Sequence, residues 1–584
     1  MHLRFNSRME DLMKYNNNNA SNSIFRDESG KKKVLIIVPH EDDETILAGN
    51  IIDILKLNSN DINVAYLTNG DYSIPAEIRV KEAIHAIGIL GLNEEDVVFL
   101  GYPDTQFGDN MSLIETTDKP YRSKAGKLET YCCNNSKEFC FQTKGVHHEY
   151  IGENVIVDLE EIIKFFHPDI IICNDYDKHP DHMTVSYGID MALDRIIRED
   201  INNTYRPVLW KSFAYSLRYF AKDLLKNSNI NSTMVPDCDN VSSDFNLVNK
   251  SIFQWNDRIR IPNSPFNNWD GFVYKQRLFK ALACHKSQFA ALRVGRVWRG
   301  DEVYWERRTD SVLSNSKYYV NGIEVKSLSN FCLYKAKSFS SNTLEFVDDS
   351  ITFNNGDELL IKCQCTSLEQ IVIYGFIGSE CESGRVNLSF NNGFSRSYDF
   401  ISKFGSPFSI NIPPQNDIDL IKLYFDSKNK CKISRIEGFA EKENSNSVIK
   451  PYIKILVDDN FTNHYFISSK NRMLKVGVYR FKIEDTVNLK IVQGKAEIIN
   501  NNLIRILSLK KPIILRASCN SEKIYDQVTI SKENNMFHNF KNLINCIFLK
   551  FFRVNSHVYL FKRLCKEKGL KSAVLFYKRK MENK

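Results

Sequence analysis

Along the first half of the chain the apolar residues switch between two periods. Short aliphatic runs at Val34–Val38, Ile62–Leu67, Val97–Leu100, Ile170–Cys173 and Leu209–Tyr215 read as strands. The first has five consecutive apolar residues, four of them β-branched, which fits a strand buried on both faces. Between these runs the apolar positions recur at helical spacing over Glu44–Leu55, Glu77–Leu90, Val155–Phe166, Met183–Ile197 and Tyr274–Ser287. In the first of these helices the spacing is carried by Ile46, Leu47, Ile51, Ile54 and Leu55. This strand-helix alternation predicts a parallel sheet covered on both sides, and the segment Asp301–Arg308 closes that α/β domain, residues 31–311.

The pattern then changes. Over residues 330–441 short alternating strands are separated by Asn-Asn-Gly and Asp/Ser turns, at Leu344–Val347, Glu358–Cys363, Ile371–Phe376, Val386–Phe390, Phe408–Ile412, Leu420–Phe425 and Cys431–Phe439. A second set follows over 448–531, including Gly494–Asn500 and Ile513–Ala517. Each set is expected to form a β-sandwich. Residues 1–30 read as a polar leader with an asparagine run at Asn16–Asn19. The long stretch between Asp104 and Asn154 follows a strand end, where it is placed to roof a pocket.

Composition refines this picture at the C-terminus. The net charge of +7 is uneven, because Lys541–Lys584 holds twelve basic residues against two acidic ones and leaves −3 for the rest. A nucleic-acid role therefore has little support. Within the tail, 536–584, Phe537, Phe540, Leu543, Ile544, Ile547, Phe548 and Phe551 fall at helical spacing, which fits either a docked helix or one lying on a membrane surface. No run of eighteen apolar residues occurs, and the N-terminus lacks a signal-peptide core, so a cytoplasmic location is expected. The fourteen cysteines are scattered and read as reduced thiols. Cys132, Cys133 and Cys140 with His147 and His148 match no common zinc-finger spacing, which favours unpaired thiols over a structural zinc there.

Two strand ends carry the chemistry. The first strand runs into Pro39-His40-Glu41-Asp42-Asp43-Glu44, and Ile170–Cys173 runs into Asn174-Asp175-Tyr176-Asp177-Lys178-His179-Pro180-Asp181-His182. The first turn alone is ambiguous, since acids at a helix start also complement the helix dipole. Paired with the second, it forms a set that suits one ion at the carboxyl ends of a parallel sheet. A catalytic zinc takes three protein ligands and keeps an open position, and His40, Asp43 and His182 are of the right types. Asp42, beside a ligand, is then a candidate general base, and His179 a donor to a developing oxyanion.

These residues resemble a known family. His40-Glu41-Asp42-Asp43-Glu44 is similar to the His-Pro-Asp-Asp-Glu motif of the LmbE/PIG-L metal-dependent N-acetylglucosamine deacetylases, and His179-Pro180-Asp181-His182 to their second motif. The resemblance spans about Val34 to Arg308, with Arg79, Glu82, Leu100-Gly101-Tyr102-Pro103-Asp104 and His285/Ser287/Gln288. It implies a Rossmann-like fold, zinc held by His40, Asp43 and His182, Asp42 as base, His179 as stabiliser of the tetrahedral intermediate, and Arg79 and Asp104 as contacts to sugar hydroxyls. For Arg79 and Asp104 a structural arginine–carboxylate pair is the competing reading. Glu41 departs from the family's proline: a carboxylate so near the metal would raise the pKa of Asp42, unless it points to solvent. Residues 330–441 weakly resemble discoidin-type or carbohydrate-binding sandwiches, and 448–531 a bacterial Ig-like module.

The expected function is zinc-dependent removal of an acetyl group from an N-acetylated amino sugar, at the cytoplasmic face of a membrane if the tail binds one. Two alternatives remain: a glycan-binding scaffold with an inactive enzyme domain, and an amidase acting on a sugar–thiol conjugate.

Overall fold

The structure, a computed structural model, describes most of residues 31–532 and isolated positions from 543 to 562. Residues 1–30, 106–112, 134–137, 176–178, 215–257, 337–345, 376–381, 403–407, 441–451 and nearly all of 533–584 lie outside the described residues, with shorter breaks elsewhere. The expected leader, most of the basic tail, Cys132 and Tyr215 therefore fall outside it.

The α/β domain contains β1 (Lys33–Val38), α1 (Asp43–Leu57), β2 (Asp61–Thr68), α2 (Ala76–Leu90), β3 (Val97–Tyr102), α3 (Phe139–Lys144), α4 (Gly152–Phe166), β4 (Ile170–Asn174), α5 (Pro180–Glu199), β5 (Val208–Ser212), β6 (Ile259–Pro262), α6 (Arg277–Leu282) and β7 (Asp301–Arg307). The strands lie in the order β3-β2-β1-β4-β5-β7-β6. Pairing is parallel from β3 to β5, and the β5–β7 and β7–β6 pairings are antiparallel, so that β7 alone runs against the other strands of this sheet. Successive side chains of β1 point to opposite faces. Val34, Ile36 and Val38 pack with Ile51, Val80 and Leu282 on one side, whereas Leu35 and Ile37 pack with Leu159, Val185 and Ile189 on the other. Burial on both faces explains why β1 reads as a continuous apolar run.

Two helices differ from expectation. The helix expected from Met183 begins at Pro180, with His179 at the N-cap, so Asp181 and His182 occupy its first turn. The helix expected over Tyr274–Ser287 is α-helical only over Arg277–Leu282, between 3-10 turns at Val273–Lys275 and Lys286–Gln288. Tertiary contacts override its periodicity: His285 Nε2 meets Glu44 Oε1 at 2.8 Å, and Ser287 donates through backbone and hydroxyl to Glu82.

The β portion begins before residue 330, with strands at Lys317–Val320 and Ile323–Val325. Separate strands expected at Glu358–Cys363 and Ile371–Phe376 belong to one strand, Glu358–Tyr374, and those at Phe408–Ile412 and Leu420–Phe425 to another, Phe408–Ser427. The two pair antiparallel with register breaks, one where Leu368 faces Gln415 but Gln370 faces Asn411. Pro413 and Pro414 fall in that break, where no ladder donor is needed. Ser434 divides Cys431–Phe439 into two strands with different partners. Farther on, a five-stranded and a four-stranded sheet pack around one core containing Ile455, Leu474, Ile504, Leu515 and Val528.

Both β portions are joined to the α/β domain. The Arg307 guanidinium lies 3.9 Å over the Phe331 ring, and the Phe331 N–H donates to Asp194 at 2.5 Å. On the edge strand β6, the Arg260 N–H donates to the Tyr479 hydroxyl at 3.1 Å, and the Tyr452 hydroxyl donates to the Arg260 carbonyl. Tyr452 is itself part of the α/β core.

Tyr131 and Glu138 lie against the end of β3 at Gly101, whose φ is +79°. A methyl group there would meet Glu138 Cγ at 2.8 Å and the Tyr131 backbone at 3.1 Å. Gly101→Ala is therefore expected to destabilise the α/β domain by about 2–4 kcal/mol, from left-handed strain plus overpacking. The first unfolding transition in urea should shift to lower concentration, and an unchanged midpoint would contradict this packing.

Candidate metal centre

The two motif turns meet because β1 and β4 are neighbours in the sheet while their connections leave in opposite directions, which opens a crevice at their carboxyl ends. Pro39 ends β1, and its carbonyl accepts from the Thr68 N–H and hydroxyl of β2, which fixes where His40 begins. His40, Asp42, Asp43, His179, Asp181 and His182 are all buried.

At the centre, Asp43 Oδ2 lies 3.1 Å from His40 Nδ1 and 3.3 Å from His182 Nε2. Burial opposes ionisation of Asp43, but the two imidazoles outweigh it and hold the carboxyl well below its usual range. Its other oxygen, Oδ1, is buried without a hydrogen-bond partner. An unsatisfied carboxylate oxygen beside two imidazole nitrogens fits a divalent cation of the zinc type. The expected ligands His40, Asp43 and His182 are thus brought together.

His40 Nε2 lies 2.9 Å from Asp181 Oδ2, and Asp181 accepts from the Thr105 N–H at 2.9 Å and its hydroxyl at 2.5 Å. A carboxylate behind a ligating histidine fixes its ring and tautomer. Sequence reading gave Asp181 no role, although its place between the two motif histidines was a usable signal. With carboxylates at both ring nitrogens, burial is overcome and the pKa of His40 is raised well above normal, by Asp104, Asp181 and Asp43.

His179 takes a different part. Its ring centroid is 4.6 Å from that of His40, and its ligand atom lies within 4.8 Å of those of His40 and His182. Its Nδ1 accepts the Asp181 N–H at 3.3 Å, so the neutral ring carries its proton on Nε2. Burial, with His40 and His182 nearby, holds its pKa well below normal and keeps it neutral. His179 is therefore a neutral donor.

Asp42 is fixed at three points. Its backbone has φ +147°, its N–H donates to Glu44 Oε2 at 2.9 Å, and its Oδ2 accepts from Arg293 Nη1 at 2.5 Å. Glu44 is in turn held by His285 and by the Thr45 hydroxyl. Arg293 was invisible in the sequence, since it lies 251 residues away in a 3-10 segment.

Glu41 does not face solvent. It is fully buried with Arg79 Nη2 3.1 Å from its Oε2, an ionic contact without the alignment of a hydrogen bond. Arg79 also donates to the Glu41 carbonyl at 2.9 Å and lies 3.8 Å from Asp104. Gly70 permits this approach, because a methyl there would strike both Glu41 and Arg79. Burial pushes the Glu41 carboxyl up to about 7, against the pull of Arg79. Asp104, whose N–H donates to Asp71 Oδ1 at 3.0 Å, is also pushed up to about 7 by burial, against the pull of His40. Arg79→Met should cost about 3–5 kcal/mol by leaving Glu41 buried and unpaired, and Glu41→Gln added to it should recover much of the loss. A double-mutant cycle in urea measures this, and additive losses would refute the coupling.

Comparison with known proteins adds one specific match: residues 35–193 fit the family model described as PIG-L, GlcNAc-PI de-N-acetylase. No curated protein matches the chain. Among solved structures, the zinc-inhibited form of the teicoplanin deacetylase Orf2 is 15% identical, covering 47% of this chain and 98% of its own with a TM-score of 0.26. The N,N'-diacetylchitobiose deacetylase from Pyrococcus horikoshii is 20% identical, covering 37% and 70% with a TM-score of 0.22. The 4-carboxy-2-hydroxymuconate hydratase GalB from Pseudomonas putida KT2440 is 16% identical, covering 31% and 65% with a TM-score of 0.20. Both motif turns, at His40–Glu44 and His179–His182, lie inside the residues that match the PIG-L family model.

Proposed function

We propose that this protein is a zinc-dependent deacetylase that hydrolyses the acetamide of an N-acetylglucosamine-type sugar. The observation that carries this reading is the buried meeting of His40, Asp43 and His182, with Asp42 fixed beside them, inside the residues that match the deacetylase family. His40, Asp43 and His182 hold the ion. When bound, it acidifies a water and polarises the amide carbonyl.

The chain's own residues do the rest. Asp181 keeps His40 oriented, with Thr105 behind it. Asp42 accepts the water proton and delivers it to the leaving amine, so that amide and water yield acetate and a free amine. Arg293 and Glu44 hold Asp42 in its strained backbone conformation, which aims the carboxylate before substrate arrives. His179, neutral with its proton on Nε2, donates to the oxygen that becomes negative. Asp104 accepts from a sugar hydroxyl, and Arg79 contributes by holding Glu41 and Asp104 in place. The β portions and the basic tail, as contacts to a glycan and to an anionic membrane on the cytoplasmic side, belong to the same proposal.

Acetate release from defined N-acetylhexosamine glycans and lipid-linked sugars is the direct test. Asp42→Asn should lower turnover by about 100-fold or more with metal content unchanged, the range expected for loss of a general base. Asp43→Ala should lose both metal and activity. Full activity in Asp42→Asn would refute the assigned base. Absence of acetate release with any divalent metal, alongside glycan binding, would favour a scaffold.

A further inference from the structure

A second cluster, unused by the proposed reaction, lies where α3 and the loop after it, part of the insertion between β3 and α4, meet α4. Cys140 comes from the start of α3, His148 from the loop that follows, and Asp158 from the middle of α4. Their ligand atoms lie within 4.8 Å of one another. Cys140 Sγ is 2.8 Å from Asp158 Oδ1, and His148 Nδ1 is 2.7 Å from the same oxygen. Cys140 and Asp158 are fully buried, whereas the His148 side chain is 18% exposed.

Asp158 is out of place on its own helix. Apart from Gly152 at its start, the other buried positions of α4 are Val155, Ile156, Leu159, Ile162 and Ile163. A carboxylate among them is costly unless it is neutralised. Its second oxygen accepts from the Tyr102 hydroxyl at 2.6 Å, which aims the first at Cys140 and His148. A thiol is a weak donor and gives no charge, so Cys140 is a poor hydrogen-bond partner for a buried anion. As a metal ligand it fits.

We propose that Cys140, His148 and Asp158 form a second, structural zinc site that pins the insertion to α4. Thiolate, imidazole and carboxylate together suit zinc, and are too soft a set for magnesium or calcium. Around zinc, with bonds of about 2.0–2.3 Å, such donor atoms sit roughly 3.3–3.6 Å apart. The present spacing is that of hydrogen bonds, so binding needs loss of the thiol proton, an unprotonated Nδ1 on His148, and side-chain shifts of under about 1 Å. Water fills the fourth position on the exposed side of His148.

The site would act on the neighbouring centre through the insertion. The Tyr131 hydroxyl donates to Asp71 Oδ2 at 2.8 Å, Asn69 donates to the Tyr131 carbonyl at 3.2 Å, and Asp71 holds the Asp104 N–H. Pinning α3 and His148 to α4 thus steadies the wall that carries Asp104.

Cobalt titration of the full, metal-stripped chain tests this apart from catalysis. None of His40, Asp43, His179 and His182 is a thiol, so a near-ultraviolet thiolate-to-cobalt band excludes the first site, and its loss in Cys140→Ser assigns it to Cys140 rather than to another of the chain's fourteen cysteines. The band should appear in the parent with micromolar cobalt or less, saturate at one equivalent in Asp43→Ala, which lacks the first site, and vanish in Cys140→Ser. His148→Gln, at the partly exposed position, should weaken cobalt binding by about tenfold or more. Circular dichroism of the metal-free variants, matching that of the parent, excludes misfolding as the cause. Absence of the band in the parent, its survival in Cys140→Ser, or saturation only at millimolar cobalt would overturn the proposal. Loss of acetate release with the band intact would instead count against the proposed reaction.

Discussion

Too many carboxylates are buried at one end of the sheet for the fold to hold them without cations. Glu41, Asp42, Asp43, Glu44, Asp104 and Asp181 are all buried within one crevice, where water cannot screen their repulsion. The surrounding structure supplies positive charge and donors from every side. Arg79 comes from α2, Arg293 from the 3-10 segment after α6, His182 from α5, and His285 from a turn 241 residues beyond Glu44. Asp43 Oδ1 and both side-chain oxygens of Glu41 are buried there without a hydrogen-bond partner. A centre built this way is rigid before ligand arrives, because each charged group is held by a partner that is itself held.

How much of this could be read in the sequence depended on range. The strands and long helices of the α/β domain were legible because burial on two faces, or on one helical stripe, leaves a local period in the residue types. His40, Asp43 and His182 were legible because they fall in two His/Asp-rich stretches that each follow an apolar strand. Partners supplied from far along the chain left no such trace. Arg293 is an ordinary arginine in a short 3-10 segment until the fold sets it against Asp42. For Glu41 the sequence left a place near the metal and a place in solvent both open, and only the fold, which brings Arg79 over Gly70, sets it in the interior.

The β portion shows the converse limit. Separate strands were expected at Glu358–Cys363 and Ile371–Phe376 because polar residues lie between them, yet the chain runs through as one strand with breaks in register. Local polarity marks a turn only if the backbone donors there lack another partner. Here the facing strand supplies them, and irregular pairing absorbs the mismatch.

The edge of the sheet carries a consequence for how this protein can be divided. The motif-bearing match ends at residue 193, yet β5, β7 and β6, as well as His285 and Arg293, lie beyond it. Strand β6 is in turn covered by Tyr452 and Tyr479 from the last β portion. Cutting the chain after residue 311 would keep every motif but leave a bare strand edge and an apolar hollow where Tyr452 sat. The smallest stably folded fragment is therefore expected to be much larger than the residues that carry the motifs, and one chosen by motif alone would expose apolar surface that the full chain covers.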